Sequence, residues 1–481
     1  MTNRSPVNRR VALITDNPYR DLPGIVLVAR RLAAEGVTCY LVPMNLEWRE
    51  VGALAPDVVL LTNIRRPRQE FARRLVEAGI AVGVLETEGG VMPDFDTYTT
   101  MTGPDPDLFR RLSVFCAWGP RVAAHARDSG WYEPGQIVVT GAPRFDLYAP
   151  QWRQAALAAS SSLAAYHHPL ILVNGSFPRA NPRFVSPQQE VELWQSMGFS
   201  RDHIVRLQDV EGRALRGMVE VANGLARAFP DAKVVYRPHP FERVETYEPL
   251  LESRDNLELL KVGTAEGWIL RATVIVHRNS TTAIEAAMAG KPALLPTWLP
   301  TAETLEACDA VSVKCDTVEV LAAEVRAALD GRWTPTPALL DATERVIADW
   351  FYVIDGASHE RVAAALLPHI LATSGRVRLE ACRRIHYGWR PGALTLRSRV
   401  GILTRMALGV PVTWSFARWE HRDPGDAWVA SEKSFDVRRV RSLLDAMDGG
   451  TSPLVVRHAD NTRDYRVSCR AGRTVVVEPN A

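Results

Sequence analysis

Two short polar stretches carry the side chains best suited to chemistry. Arg237-Pro238-His239-Pro240 holds a histidine between two prolines, and Asn279-Ser280-Thr281-Thr282 sets three hydroxyl side chains in a row. A histidine donates from either ring nitrogen and, when protonated, pairs with phosphate. The flanking prolines restrict the loop and lower the cost of holding the ring in place. The hydroxyls precede a helix pattern, whose first-turn N–H groups lack intrahelical acceptors and attract anions. Together the stretches point to a pocket for a nucleotide with its phosphates. Each also has a plainer reading. A lone His between prolines is a rigid strand exit, and Thr282 with Glu285 has the spacing of a capping box. Three consecutive hydroxyl residues exceed what a cap requires.

The elements around these stretches place them together. Ala232 to Arg237 and Thr273 to Arg278 read as buried strands, each ending in one polar stretch, and Ala283 to Ala289 reads as a helix closed by Gly290 and Pro292. Ligands of open α/β sheets sit outside the carboxyl ends of the strands, where both stretches fall. Earlier in the chain Val11–Thr15, Val37–Pro43, Asp57–Thr62 and Ile80–Leu85 alternate with helical segments, the rhythm of a doubly wound parallel sheet. The reading gives a first Rossmann-like domain over 1–150 and a second over 151–334. Closing helices follow over 335–372, and a basic, mixed or helical extension covers 373–481. At 481 residues, two or three domains are expected. Asn174-Gly175-Ser176 ends the first strand of the second domain and offers N–H donors to a phosphate, or is an ordinary turn. Gly24, after the first strand, permits close approach across a cleft, or a tight helix entry. Trp118-Gly-Pro reads as packing.

Composition narrows the class. Six scattered cysteines without a C-x-x-C fit a reducing cytosol, and neither a zinc-ligand spacing nor a Walker A loop is present. The polar start lacks an apolar signal core, and no apolar run is long enough to span a bilayer. Net charge is +2, but residues 374–481 carry 19 Lys and Arg against 11 Asp and Glu while the remainder is acidic, which suggests a surface partner for the tail. Between Gly388 and Arg418, arginines interleave with aliphatic and aromatic residues. That pattern suits either contact with an anionic inner leaflet or a helical appendage packed on the second domain, with Pro391 and Pro411 interrupting any long helix.

The R-P-H-P stretch followed by His277-x-Asn279-Ser280-Thr281-Thr282-Ala-Ile-Glu-Ala resembles the HP and SS/ST motifs of bacterial GT-B glycosyltransferases that use CMP-activated sugar acids, the capsule Kdo transferases and polysialyltransferases. Gly141-Ala-Pro-Arg-Phe-Asp146 is similar to a G-x-P-R-F-D element of the wider surface carbohydrate biosynthesis group, which extends more distantly to CDP-glycerol glycerophosphotransferases. The resemblance spans roughly residues 10–370. It implies an α/β GT-B fold, two Rossmann-like domains facing across a cleft, with His239, Ser280 and Thr281 on the nucleotide phosphate. Arg237, Asn279, Thr282, Glu285, Gly175 and Ser176 would complete the donor side. Glu86-Thr-Glu88-Gly89 ends the Ile80 strand, where the polysialyltransferases carry an acidic-acidic-Gly motif containing the catalytic base. Thr87 departs from that motif, so only Glu88 is carried over as base, with Glu86, Gly89 and Gly24 beside it on the acceptor side. A glycine turn with solvated acids is the plainer reading.

The expected function is therefore a cytoplasmic, metal-independent transfer of a Kdo-like or nonulosonic sugar acid from a CMP donor to a glycan or lipid-linked glycan. No cofactor and no nucleic acid is expected. A CDP-polyol phosphotransferase, a non-catalytic scaffold of a glycan-assembly complex and a nucleotide-sugar epimerase remain as alternatives.

Overall fold

Short runs of Val, Ile and Leu build two sheets. The computed structural model describes residues 9–86, 91–196, 198–301, 303–372, 376–386, 433–460, 463–467 and 474–480. The first sheet takes β1 (Arg10–Thr15), β2 (Thr38–Pro43), β3 (Val58–Leu61), β4 (Ala81–Leu85), β5 (Val114–Ala117) and β6 (Ile137–Val139). The second takes β7 (Leu170–Asn174), β8 (Lys233–Arg237), β9 (Leu257–Leu259), β10 (Val274–His277), β11 (Ala293–Pro296) and β12 (Val313–Cys315). All pairings among these twelve strands are parallel. Helices cover both faces, so strands such as β1, β3 and β7 are buried along their whole length. The architecture is the expected one, two Rossmann-like α/β domains in the GT-B arrangement.

Strand order fixes where a ligand can sit. The second sheet runs β12-β11-β10-β7-β8-β9, so the chain reverses direction of growth between β7 and β10. Asn174, Arg237 and His277 pair in register across β8, β7 and β10, which brings the three following loops out at one level. In the first sheet β1 lies between β2 and β3, which puts the Asp16–Asp21 loop at its own reversal point. Crevices outside such reversals are the binding positions of open α/β sheets.

The region after residue 373 differs from the expected appendage. Two strands, β13 (Val455–His458) and β14 (Val475–Glu478), extend the first sheet, with β14 antiparallel to β2 on one side and to β13 on the other. The Val437–Met447 helix packs on the Leu22–Ala34 and Pro150–Ala159 helices. The described parts of the tail therefore join the first domain, where β14 covers what would be an open edge of β2. Gly388 to Arg418, with the proposed membrane contact, lies outside the described residues. Earlier, the Ser358–Ala372 helix also returns to the first domain, laying Val362, Leu366 and Ile370 into its core against the Leu22–Ala34 helix.

Candidate functional site

The His239 loop is held by a carboxylate three residues on. Glu242 is fully buried and accepts the backbone N–H of His239 and of Phe177, each at 2.9 Å, together with the Tyr247 hydroxyl. Burial pushes its carboxyl up to about 7. One side chain thus ties the loop after β8 to the loop after β7. Lys261 adds a 2.7 Å bond to the Glu242 carbonyl. The Phe241 N–H donates to His239 Nδ1 at 3.2 Å, so the neutral imidazole carries its proton on Nε2 and presents a donor there.

The Asn-Ser-Thr-Thr loop gives little to capping, a single long bond from the Thr282 N–H to Ser280 Oγ at 3.4 Å. Thr281 occupies the N-cap position without a side-chain cap bond, and Thr282 opens the Thr282–Met288 helix. The Ser280 and Thr282 hydroxyls lie 2.9 Å apart, and the Asn174 amide donates to Thr282 Oγ1 at 3.1 Å. Asn279 adopts φ 53°, with its side-chain oxygen accepting the Leu305 N–H at 3.1 Å. Glu285 does not reach back to close a capping box. Its carboxylate accepts the Tyr148 hydroxyl at 2.6 Å and lies 3.5 Å from Arg144, both on the segment after β6. The charge is more stable against those partners than against one N–H.

Arg237, His239, Asn279, Ser280, Thr281, Thr282, Glu285 and Ser176 all line one cavity of about 650 Å³, a size typical of small-ligand sites. Gly175 stands just behind it, where a Cβ would meet the Tyr236 hydroxyl at 3.1 Å. The opposite wall belongs to the first domain, with Asn17, Tyr19 and Arg20 from the loop after β1, Trp118 after β5, and Arg144 and Phe145 after β6. Lys433 closes the lining from the far end of the sequence and bonds Asp16 at 2.7 Å. Among the described residues the lining carries Arg20, Arg144, Arg183, Arg237, Lys261 and Lys433 and one carboxylate, Glu285, while Asp16 and Asp21 behind it pair with Arg20 and Lys433. That imbalance suits an anionic ligand. Phe184 and Phe241, edge to face at 5.9 Å, give an apolar rim beside His239.

The Gly141–Asp146 element is the joint on which this wall is built. Asp146 is buried and accepts the Ser358 and His359 N–H groups at 2.9 Å and His359 Nδ1 at 2.8 Å, capping the helix that returns to the first domain. Two residues earlier, the Arg144 guanidinium lies over the Phe145 and Trp118 rings at 4.4 and 5.2 Å. Gly24 does not reach the cleft as expected. It lies against this joint, where a Cβ would fall 2.5 Å from the Arg144 backbone nitrogen. Gly24→Ala should therefore push Arg144 out of place. The expected result is a loss of about 1–3 kcal/mol, typical of overpacking, in thermal unfolding, together with weaker ligand binding in the cavity.

On the acceptor side, Glu86 is a correction. It is buried rather than solvated, lies 3.5 Å from Arg65, and is not among the residues lining the cavity. At the end of β4 its side chain turns into the protein, where a cation offsets the loss of water. Glu88 and Gly89 lie outside the described residues. Sequence reasoning also missed Glu242, Arg20, Lys261 and Lys433. The first three had a usable signal, since each follows closely on a strand end at the carboxyl edge. Lys433 had none.

These features define a class, a GT-B-type pair of Rossmann-like domains around a cationic cleft. No protein-family model and no curated protein matches the chain. Solved structures similar to it include UDP-GlcNAc 2-epimerase from Methanocaldococcus jannaschii, at 14% identity and TM-score 0.48 over 75% of this chain and 99% of that one. UDP-GlcNAc 2-epimerase from Neisseria meningitidis bound to UDP-GlcNAc matches at 13% and 0.47, over 75% and 99%. The wall teichoic acid polymerase TagF matches at 11% and 0.46, over 77% and 90%. Likeness of this degree carries no argument about chemistry.

Proposed function

We propose that the cleft binds a cytidine-nucleotide-activated sugar acid and that the protein transfers the sugar acid to a glycan acceptor in bacterial surface polysaccharide synthesis. The observation supporting this is the meeting of the Arg237–Pro240 and Asn279–Thr282 loops in one cavity whose lining is strongly cationic. In this reading His239 Nε2 and the Ser280 and Thr281 hydroxyls donate to the leaving nucleotide phosphate, inside a cationic lining that stabilises the charge developing on it. Glu88 is the proposed base, taking the proton from the acceptor hydroxyl. The cation for the leaving group comes from the protein, so no metal is invoked.

CMP is the discriminating ligand. A ligand that binds only the folded state raises its melting temperature. CMP should raise it more than UDP or GDP do. A response to UDP alone would favour an epimerase, a preference for CDP-glycerol would favour polyol phosphotransfer, and no response would favour a scaffold. His239→Ala should cancel the CMP response and cut turnover by roughly 10²–10³, the usual cost of losing one charge-stabilising donor. Normal turnover in that variant would remove His239 from the mechanism. Among the described residues no helix is long and apolar enough to cross a membrane. Contact of residues 388–418 with the inner leaflet is part of the proposal, as a means of reaching a lipid-linked acceptor.

A further inference from the structure

Among the described residues, three N–H donors on the cavity lining are buried without an acceptor. They are Arg144 Nε, Arg237 Nε and Trp118 Nε1. All three side chains line the cavity, two from the first domain and Arg237 from the end of β8 in the second. Buried donors normally find partners, because an unmade bond costs the full desolvation of the group. On the lining residues themselves the unpaired atoms are all donors, two of the three belonging to cations, while Asn174 Oδ1 and the Tyr236 hydroxyl are unpaired behind the lining. Arg144 sits 3.5 Å from Glu285, an ion-pair distance beyond a good hydrogen bond, while Glu285 already accepts from Tyr148. Among the described residues, the guanidinium of Arg237 reaches only the Gly263 carbonyl, at 3.4 Å. Glu266 is electrostatically close to both arginines, but burial pushes its carboxyl up to about 7, which weakens it as a counter-charge.

We propose that Arg144, Arg237 and Trp118 form a second oxyanion subsite that straddles the cleft, separate from the phosphate position at His239, Ser280 and Thr281. An oxyanion there accepts from both domains at once and draws them together. The inference rests on the reading of this cavity as a nucleotide-donor site. Two donor groups have the required chemistry, the carboxylate of a sugar acid and the second phosphate of a nucleoside diphosphate.

The test compares affinities for CMP, CDP and CMP-N-acetylneuraminate by calorimetry in the full chain, in Trp118→Phe and in Arg144→Lys. Trp118→Phe keeps an aromatic ring and removes the N–H. Arg144→Lys keeps the charge and removes the planar fork. In the unaltered protein one extra oxyanion should tighten binding over CMP by roughly ten- to hundredfold. A gain with CMP-N-acetylneuraminate identifies the carboxylate, and a gain with CDP identifies a second phosphate. The ratio to CMP should fall toward one in both variants. If CMP binds but neither second anion improves on it, or if the variants leave the ratio unchanged, the subsite is wrong and the donor-site reading stands. If CMP itself does not bind, both fall.

Discussion

A chain ending at Thr373 should fail to form the native first domain. Such a chain loses both β13 and β14, and with β14 the antiparallel partner of β2. It also loses Val440, Leu443, Leu444, Val475, Val476 and Val477, each at most 5% exposed. Their loss uncovers the apolar faces of β2 and of the Leu22–Ala34 helix on which they pack. Polar groups suffer as well. Glu50, fully buried, would lose the Tyr465 and Thr474 hydroxyls at 2.6 and 2.9 Å, and Tyr40 would lose Asp464 at 3.2 Å. Thermal unfolding and amide exchange are the measurements. Protection of β1 to β4 equal to that in the full chain would refute the expectation.

Glu242→Ala should abolish the proposed nucleotide binding although Glu242 does not itself line the cavity. Three donors converge on that carboxylate, from His239, Phe177 and Tyr247. At roughly 1–3 kcal/mol per buried donor left unpaired, the loss is enough to release the His239 loop. Glu242→Gln should largely preserve binding, since the amide oxygen still accepts both backbone N–H groups and the amide nitrogen can donate to the Tyr247 oxygen. The two variants also differ in pH dependence. Glu242 moves from an ordinary 4.5 to about 7 in the folded protein. Between those values the folded state holds a proton that the unfolded chain has released. Its contribution to stability is complete below about pH 4.5 and is lost as pH rises through about 7. Glu242→Gln cannot titrate, so its stability should fall less over that interval. Equal slopes for the wild type and Glu242→Gln, or equal CMP binding by Glu242→Ala, would contradict this account.

Local pattern carried much of the architecture. Val11 to Thr15, Ile80 to Leu85 and Thr273 to Arg278 are short apolar runs bounded by turn residues, and parallel strands buried on both faces take that form. The loops holding His239 and Ser280 were legible for the same reason, because strand ends are visible and their polar residues fall at the ligand edge. What escaped was non-local. Glu285 has a capping partner three residues away in the sequence pattern, yet it bonds Tyr148, 137 residues distant. Glu86 has the look of a solvated acid in a glycine turn, but Arg65 meets it inside the protein. The run Val475 to Val477 is too short to declare its partner, and nothing near it in sequence points to β2. Arg144 was visible only as a motif member. Its stacking between rings depends on Trp118 and on a glycine at position 24.

The way β14 completes the first sheet also bears on how the protein is made. Residues 170–315 contain every strand of the second sheet, so that sheet can assemble while the ribosome is still translating the remainder. The first sheet starts to emerge earlier but finishes later. Arg10 meets its partner Asp464 across 454 positions, and β2 waits for Val475 to Glu478. Closing so long a loop is entropically modest, but it delays the event. Through most of synthesis β2 is an uncovered edge, the kind of surface that recruits strands from other chains. Until β14 arrives that edge stays open to strands of other chains, and premature termination should yield aggregates rather than a smaller folded protein.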